Sequence, residues 1–154
     1  MAKMKISEII AFYQACESTA LQAGFSRALS YAVEKNRLNA EKVYKAAVKV
    51  EKDSPDFLEY LKSREELVKV HAKKTPDGNF IPTGDGVLLE NAQAYEKAIL
   101  ELTEKHKATL DEIAAFKDGE DEIKIHQVPI DAFPDNPAPG LLRRFWPMIA
   151  EPEA

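Results

Sequence analysis

A chain of 154 residues with 45% hydrophobic and 31% charged side chains can build one core, so a single domain over residues 1–150 is expected. The net charge of −5 argues against a non-specific nucleic-acid binder, which carries a basic footprint. Cys16, alone of its kind, excludes an intrachain disulfide, and no apolar run approaches the ~20 residues of a membrane span.

The basic start Met1-Ala2-Lys3-Met4-Lys5 meets Ser7 and Glu8, so it does not read as a signal peptide, and a cytoplasmic protein is expected. Ser7 can cap a first helix with Ile9, Ile10, Tyr13, Ala20 and Leu21 at helical spacing, which Gly24 would end. Ser26 opens a second helix that reaches about Lys52. Its apolar positions Leu29, Val33, Asn36, Ala40, Val43, Ala47 and Val50 alternate four- and three-residue steps, as along a coiled-coil-like seam. The rhythm passes through Ser54-Pro55 to Phe57, Leu61, Arg64, Val68 and His71. That pattern predicts two nearly collinear helices with a kink at Pro55 and Ser54 as the cap.

Thr75-Pro76-Asp77-Gly78-Asn79 is turn chemistry, and Phe80-Ile81 could form a very short strand. Val87 to Phe116 reads as the best helix of the chain, with Leu88, Ala92, Tyr95, Ile99, Leu102, His106, Leu110, Ile113 and Phe116 on one stripe. At 1.5 Å per residue it spans roughly 45 Å, comparable to residues 26–53, so these two segments are expected to pack antiparallel. Ile123 and Ile125 alternate with Lys124 and His126 as one strand, the candidate partner of Phe80-Ile81 within a chain or between chains. A final amphipathic turn or two carries Leu141, Leu142, Phe145, Trp146, Met148 and Ile149. The closing Glu151-Pro152-Glu153-Ala154 resembles a short affinity tag and is set aside as a tail over 151–154.

Candidate chemistry is sparse. His106 falls where the seam expects an apolar residue; it is either a buried ligand or a helix-facing histidine satisfied by a polar neighbour, and no His or Cys stands at metal-ligand spacing. Asn36 is expected to fix register, Arg64 to sit at a partly covered edge, and Cys16 to be a small semi-buried helix residue. Asp53 and Asp56 suit capping and the helix dipole. Gly84-Asp85-Gly86 before a helix suggests either an anion site or a lead-in loop. Arg143, Arg144, Phe145, Trp146 and Met148 combine the residue types enriched at protein interfaces, and form the candidate partner-binding set. The alternative is that Leu142, Phe145 and Ile149 fold back to plug the end of the bundle, and the two readings are compatible with Trp146 and the arginines outside.

The order of parts carries a resemblance. A helix opens near Arg27-Ala28-Leu29-Ser30-Tyr31-Ala32-Val33. A turn Pro76-Asp77-Gly78-Asn79-Phe80-Ile81-Pro82 leads to a second long helix, and a segment from Glu122 to Phe133 precedes the closing helix. This resembles a group of small uncharacterised helical proteins of tailed bacteriophages and prophages. The resemblance implies a phage context, and with it the host cytoplasm, but no activity and no functional residue.

The expected fold is mainly α: an antiparallel long-helix hairpin or bundle with a short N-terminal helix and a minimal β element. The expected function is a non-enzymatic interaction protein that binds a host or phage protein, for instance as a host-factor inhibitor, without cofactor or metal and with homo-oligomers as an option. One alternative is an oligomeric sponge that sequesters a small anionic ligand such as a nucleotide signal, antagonising host defence, through Arg143, Arg144, Lys73, Lys74 and the Gly84-Asp85-Gly86 loop. Another is a particle-assembly factor. An enzyme would need Cys16 or a histidine set against a carboxylate.

Overall fold

The computed structural model describes residues 1–151, and the chain is mostly helical, as expected. The chain forms two compact units, residues 1–49 with 115–151 and residues 50–114. The presumed tail over 151–154 lies, beyond Glu151, outside the described residues.

The first unit opens with strand β1 (Ala2–Lys5), which runs directly into α1 (Ile6–Glu17). The helix therefore starts one residue before Ser7, and Lys5 rather than Ser7 stands at its cap: the Lys5 N–H donates to the Glu8 carboxylate at 2.9 Å. α1 ends at Glu17, well short of Gly24; a 3₁₀ turn over Thr19–Gln22 follows, and Gly24 takes φ +79° in the approach to the next helix. α2 (Arg27–Lys52) is capped by Ser26, whose Oγ accepts from the Leu29 N–H at 3.2 Å.

The stripe read along α2 is the one that is buried, from Leu29 through Val33, Asn36, Ala40 and Val43 to Ala47, while Val50 is exposed. Its cover comes from Ile9, Phe12, Tyr13 and Cys16 of α1 and from Phe133, Phe145, Met148 and Ile149 near the C-terminus. Tyr13 stacks on Tyr44 with ring centroids 4.1 Å apart. Fully burying each large apolar side chain of this cluster contributes about 1.5–3 kcal/mol, so the unit gains most of its stability here.

The expected pairing of Phe80-Ile81 with Ile123–Ile125 does not form. β1 instead pairs antiparallel with a strand over Glu120–Ile123, Ala2 opposite Ile123 and Lys5 opposite Glu120. Charge explains the choice: the basic strand lies against an acidic one, with Lys3 Nζ 2.6 Å from Glu120 and Lys5 Nζ 2.6 Å from Asp118. After Ile123 the chain leaves regular structure, so the alternation through Ile125 and His126 is not a paired strand.

In the second unit Ser54 caps α3 (Pro55–His71) as predicted, accepting from the Phe57 N–H at 3.3 Å with Pro55 in the first turn. The turn region closes on itself. Short strands Pro82–Thr83 and Gly86–Val87 pair with each other, and Phe80 bridges Lys74. The next helix, α4 (Ala92–Lys105), starts five residues later than Val87 because Leu88 and Leu89 are bonded back to Lys73 and Ala72; Asn91 caps it, accepting from the Ala94 N–H at 3.1 Å. α5 (Lys107–Asp118) follows after a break at His106 (φ −106°, ψ 14°), across which the backbone bonds His106 N–H to Leu102 O and Leu110 N–H to His106 O continue.

The hairpin of this unit is α3 against α4. Its antiparallel sense is fixed by Asp56 meeting His106, Glu59 meeting Lys105 and His71 meeting Tyr95. The sequence expectation that residues 26–53 supply the antiparallel partner of 87–116 is thus corrected. α3 fills that role because the local closure at Ala72 and Leu89 holds the two helix ends together, a short loop-closure that needs little entropy.

Candidate interaction groove

Two of the five residues in the predicted partner-binding set are not available to a partner. Phe145 and Met148 are fully buried, together with Leu141 and Ile149. Helical spacing explains it: 141, 145, 148 and 149 share one face of the short helix α6 (Pro139–Phe145) and the turn that continues it, and that face is the plug. Phe145 meets Phe25 edge-on at 5.7 Å and lies 6.2 Å from Phe133. The main chain locks the turn as well, since Val128 N–H donates to Met148 O and Ala150 N–H to Val128 O, both at 2.8 Å.

The other three residues point outward. Arg143 and Arg144 are exposed, and Trp146 retains 63% of its surface. Beside them opens a groove of about 780 Å³, walled on one side by Trp146 and Pro147 and on the other by Ala2, Met4, Ala11 and Phe12. Glu8, Gln14 and the two arginines line it as well. Neither guanidinium has an ion pair or hydrogen bond among the described residues, whereas Arg37, on α2, is clamped by Glu34 at 2.8 Å and Glu17 at 3.2 Å. Free cations beside an apolar trough are equipped to take an apolar group with an anion attached. Of the opposite wall, α1 is legible in the sequence and β1 is not. The only signal for it is the alternation Ala2-Lys3-Met4-Lys5, too short to separate from noise.

Asn36 turns out to read backbone rather than another helix. Wholly buried, it donates from Nδ2 to His126 O at 2.9 Å and accepts at Oδ1 from His126 N–H at 2.7 Å, with Nδ2 also 3.6 Å from Met148 Sδ. Asn39 adds a bond to Lys124 O at 2.8 Å. One half-buried and one fully buried amide thus peg the segment after Ile123 to α2, a register role with a different partner from the one expected.

The remaining candidates scatter. His106 is buried; its Nδ1 lies 2.9 Å from Asp56 Oδ1, its ring edge meets Tyr60 at 5.7 Å, and its Nε2 has no hydrogen-bond partner among the described residues. The ring is therefore only half satisfied by its polar neighbour. His126 meets Tyr31, and Arg64 is exposed. Cys16 is buried, and burial pushes its thiol up to about 12, which leaves it protonated. Gly84-Asp85-Gly86 is not at a helix start: Gly84 and Asp85 turn the small hairpin, six or more residues before the Asn91 cap. That loop, Lys73 and Lys74 belong to the second unit, whereas Arg143 and Arg144 belong to the first. Among the described residues no group of three or more His, Cys, Asp or Glu could hold a metal ion, and no helix is long and apolar enough to cross a membrane.

Asp56 gives a pH test. Hydrogen bonds from Thr109 and His106 hold its carboxyl below the ordinary range. A depressed folded pKa means the ionised form binds more favourably in the folded state. Its contribution is therefore present above the unfolded value of about 3.9 and is lost as pH falls through the folded value. Urea midpoints read by circular dichroism from pH 5 to pH 2 should fall further in the wild type than in Asp56→Asn. Parallel curves would contradict it.

Comparison with protein-family models, with curated proteins and with solved structures finds no match for this chain.

Proposed function

We propose that this chain is a non-enzymatic interaction protein that captures a protein partner in the groove beside Trp146. The observation that carries this reading is a solvent-exposed tryptophan that lines one groove with two unpaired arginines, on a turn whose neighbours Phe145 and Met148 are locked in the core. Binding hot spots are enriched in Trp and Arg, and an anchor held rigid before binding loses little entropy on association. Phage encoding, and a host or phage protein as the target, rest on the sequence resemblance alone.

The test is capture from host lysate by the tagged full chain, compared with Trp146→Ala and with the double variant Arg143→Glu/Arg144→Glu. All three residues are exposed, so helix content by circular dichroism should not change. Hot-spot truncations cost about 2 kcal/mol or more, roughly thirtyfold in affinity. A species retained by the wild type and lost by both variants supports the reading; equal retention by all three overturns it.

The groove volume of about 780 Å³ favours one second reading, a sponge for a small anion, since small-molecule sites span ~300–1,000 Å³. Thermal shift against a nucleotide panel separates the two. A ligand that binds the native state must raise stability, so no shift at high ligand concentration ends the sponge.

A further inference from the structure

The buried stripe of α2, from Leu29 to Ala47, leaves the opposite side of that helix to solvent. There Lys35, Lys42 and Lys49 are exposed and recur every seven residues, about 10.5 Å apart at 1.5 Å per residue. Tyr31 and Leu38, 58% and 50% exposed, form a parallel row with the same step, each four residues before a lysine. Lys35 Nζ rests 5.6 Å from the centre of the Tyr31 ring. Arg27 stands four residues before Tyr31, and the Asn39 amide brings Lys124 to the helix by bonding its carbonyl at 2.8 Å. Among the described residues none of these two outer cations or three lysines has an ion pair. The neighbouring acids are taken: Glu34 by Arg37 at 2.8 Å and Glu41 by Lys45 at 2.9 Å. A chain of net charge −5 thus gathers unpaired positive charge along one helix.

We propose that this face docks an acidic amphipathic helix of a protein partner, laid along α2. Carboxylates repeating once per heptad meet Lys35, Lys42 and Lys49, and apolar side chains of the same helix cover Tyr31 and Leu38. The repeat selects the class. Two helices side by side can keep a seven-residue pattern in step over several turns, and charges flanking the apolar row set partner and orientation. A nucleic-acid strand carries a phosphate about every 3.4 Å of its axis, so lysines about 10.5 Å apart leave most phosphates unmet. A bilayer surface needs a broad apolar face beneath the basic residues, and here that face is Tyr31 and Leu38 alone. Little apolar area is covered, so charge supplies selectivity and docking is sensitive to salt. α2 is already fixed by its buried face and by the Asn36 bonds to His126, so presenting the row costs no ordering of the helix. No residue of α2 lines the groove beside Trp146, so the two surfaces are tested separately.

The probe is a labelled, helix-stabilised synthetic peptide with Leu in one heptad row and Glu in the row beside it. Its binding to the full chain is read by fluorescence anisotropy at low salt. A second peptide has the same composition with its Glu positions scattered around the helix. An oligothymidylate and phosphatidylserine vesicles complete the set. The heptad peptide should bind best. Lys35→Glu/Lys42→Glu/Lys49→Glu should weaken it by about tenfold or more, the combined size of three exposed ion pairs, and should improve binding of the peptide with Lys in place of Glu. Trp146→Ala should leave binding unchanged. The three lysines are exposed, so helix content should hold, and Lys35→Gln/Lys42→Gln/Lys49→Gln gives a smaller loss in the same direction should the reversal disturb folding. Equal binding of the scattered peptide, or a heptad peptide indifferent to both lysine variants, overturns the proposal. Tighter lysine-dependent binding of the oligonucleotide or the vesicles overturns the helix as occupant, and binding of no probe overturns the surface altogether.

Discussion

Phe145→Ala is expected to destabilise the first unit by about 3–5 kcal/mol, the range for phenylalanine truncation in a close-packed core. Phe145 is fully buried, meeting Phe25 edge-on and Phe133 at a tilt, so its removal leaves a void beside two aromatic rings in the cluster that also holds Met148 and Leu141. Such rings cannot close the gap without losing their mutual geometry. A small domain is stable by only ~5–15 kcal/mol, so the loss is a large fraction of the total. Urea unfolding followed by Trp146 emission measures it locally, because Trp146 is the next residue. A loss below about 1 kcal/mol would show that Phe145 is not the plug of this core. It would also restore Phe145 as a residue free to meet a partner.

Asn36→Ala is the second, with an expected loss of about 2–4 kcal/mol from two main-chain bonds left unmade at a buried site. The diagnostic variant is Asn36→Asp, which has nearly the same shape. A carboxylate can still accept from His126 N–H, but it has no N–H to donate to His126 O, and ionised it must be buried. It should be at least as destabilising as alanine. If Asp were tolerated as well as Asn, the two-bond peg would not be what Asn36 provides. Because the peg holds the chain that leads into α6, hydrogen exchange at Val128 and Ala150 should speed up in both variants.

These two residues mark where a linear reading works and where it stops. Phe145 and Met148 were grouped with Arg143, Arg144 and Trp146 because they are adjacent in sequence and of interface types. Composition cannot tell which side of a helical turn faces in. The spacing 141, 145, 148, 149 does, once the turn is known to be helical, and it sorts the five residues into two core positions and three surface ones. Asn36 was recognised as an exception in an apolar stripe, correctly. Its partner could not be read, since a main-chain N–H and C=O leave no trace in side-chain identity.

The helical character, the buried stripe from Leu29 to Ala47, the caps at Ser26 and Ser54 and the turn chemistry around Gly78 are all legible in the linear chain. Each of these depends on local spacing or on a side chain meeting its own neighbouring backbone. Tertiary contacts alone set α3 against α4, pair β1 with the acidic strand after Asp118, and bring β1 and α1 beside the end of α6 to form a groove. Those outcomes join residues as far apart in the chain as Ala2 and Pro147, and no periodicity within one segment records which distant surface will cover it.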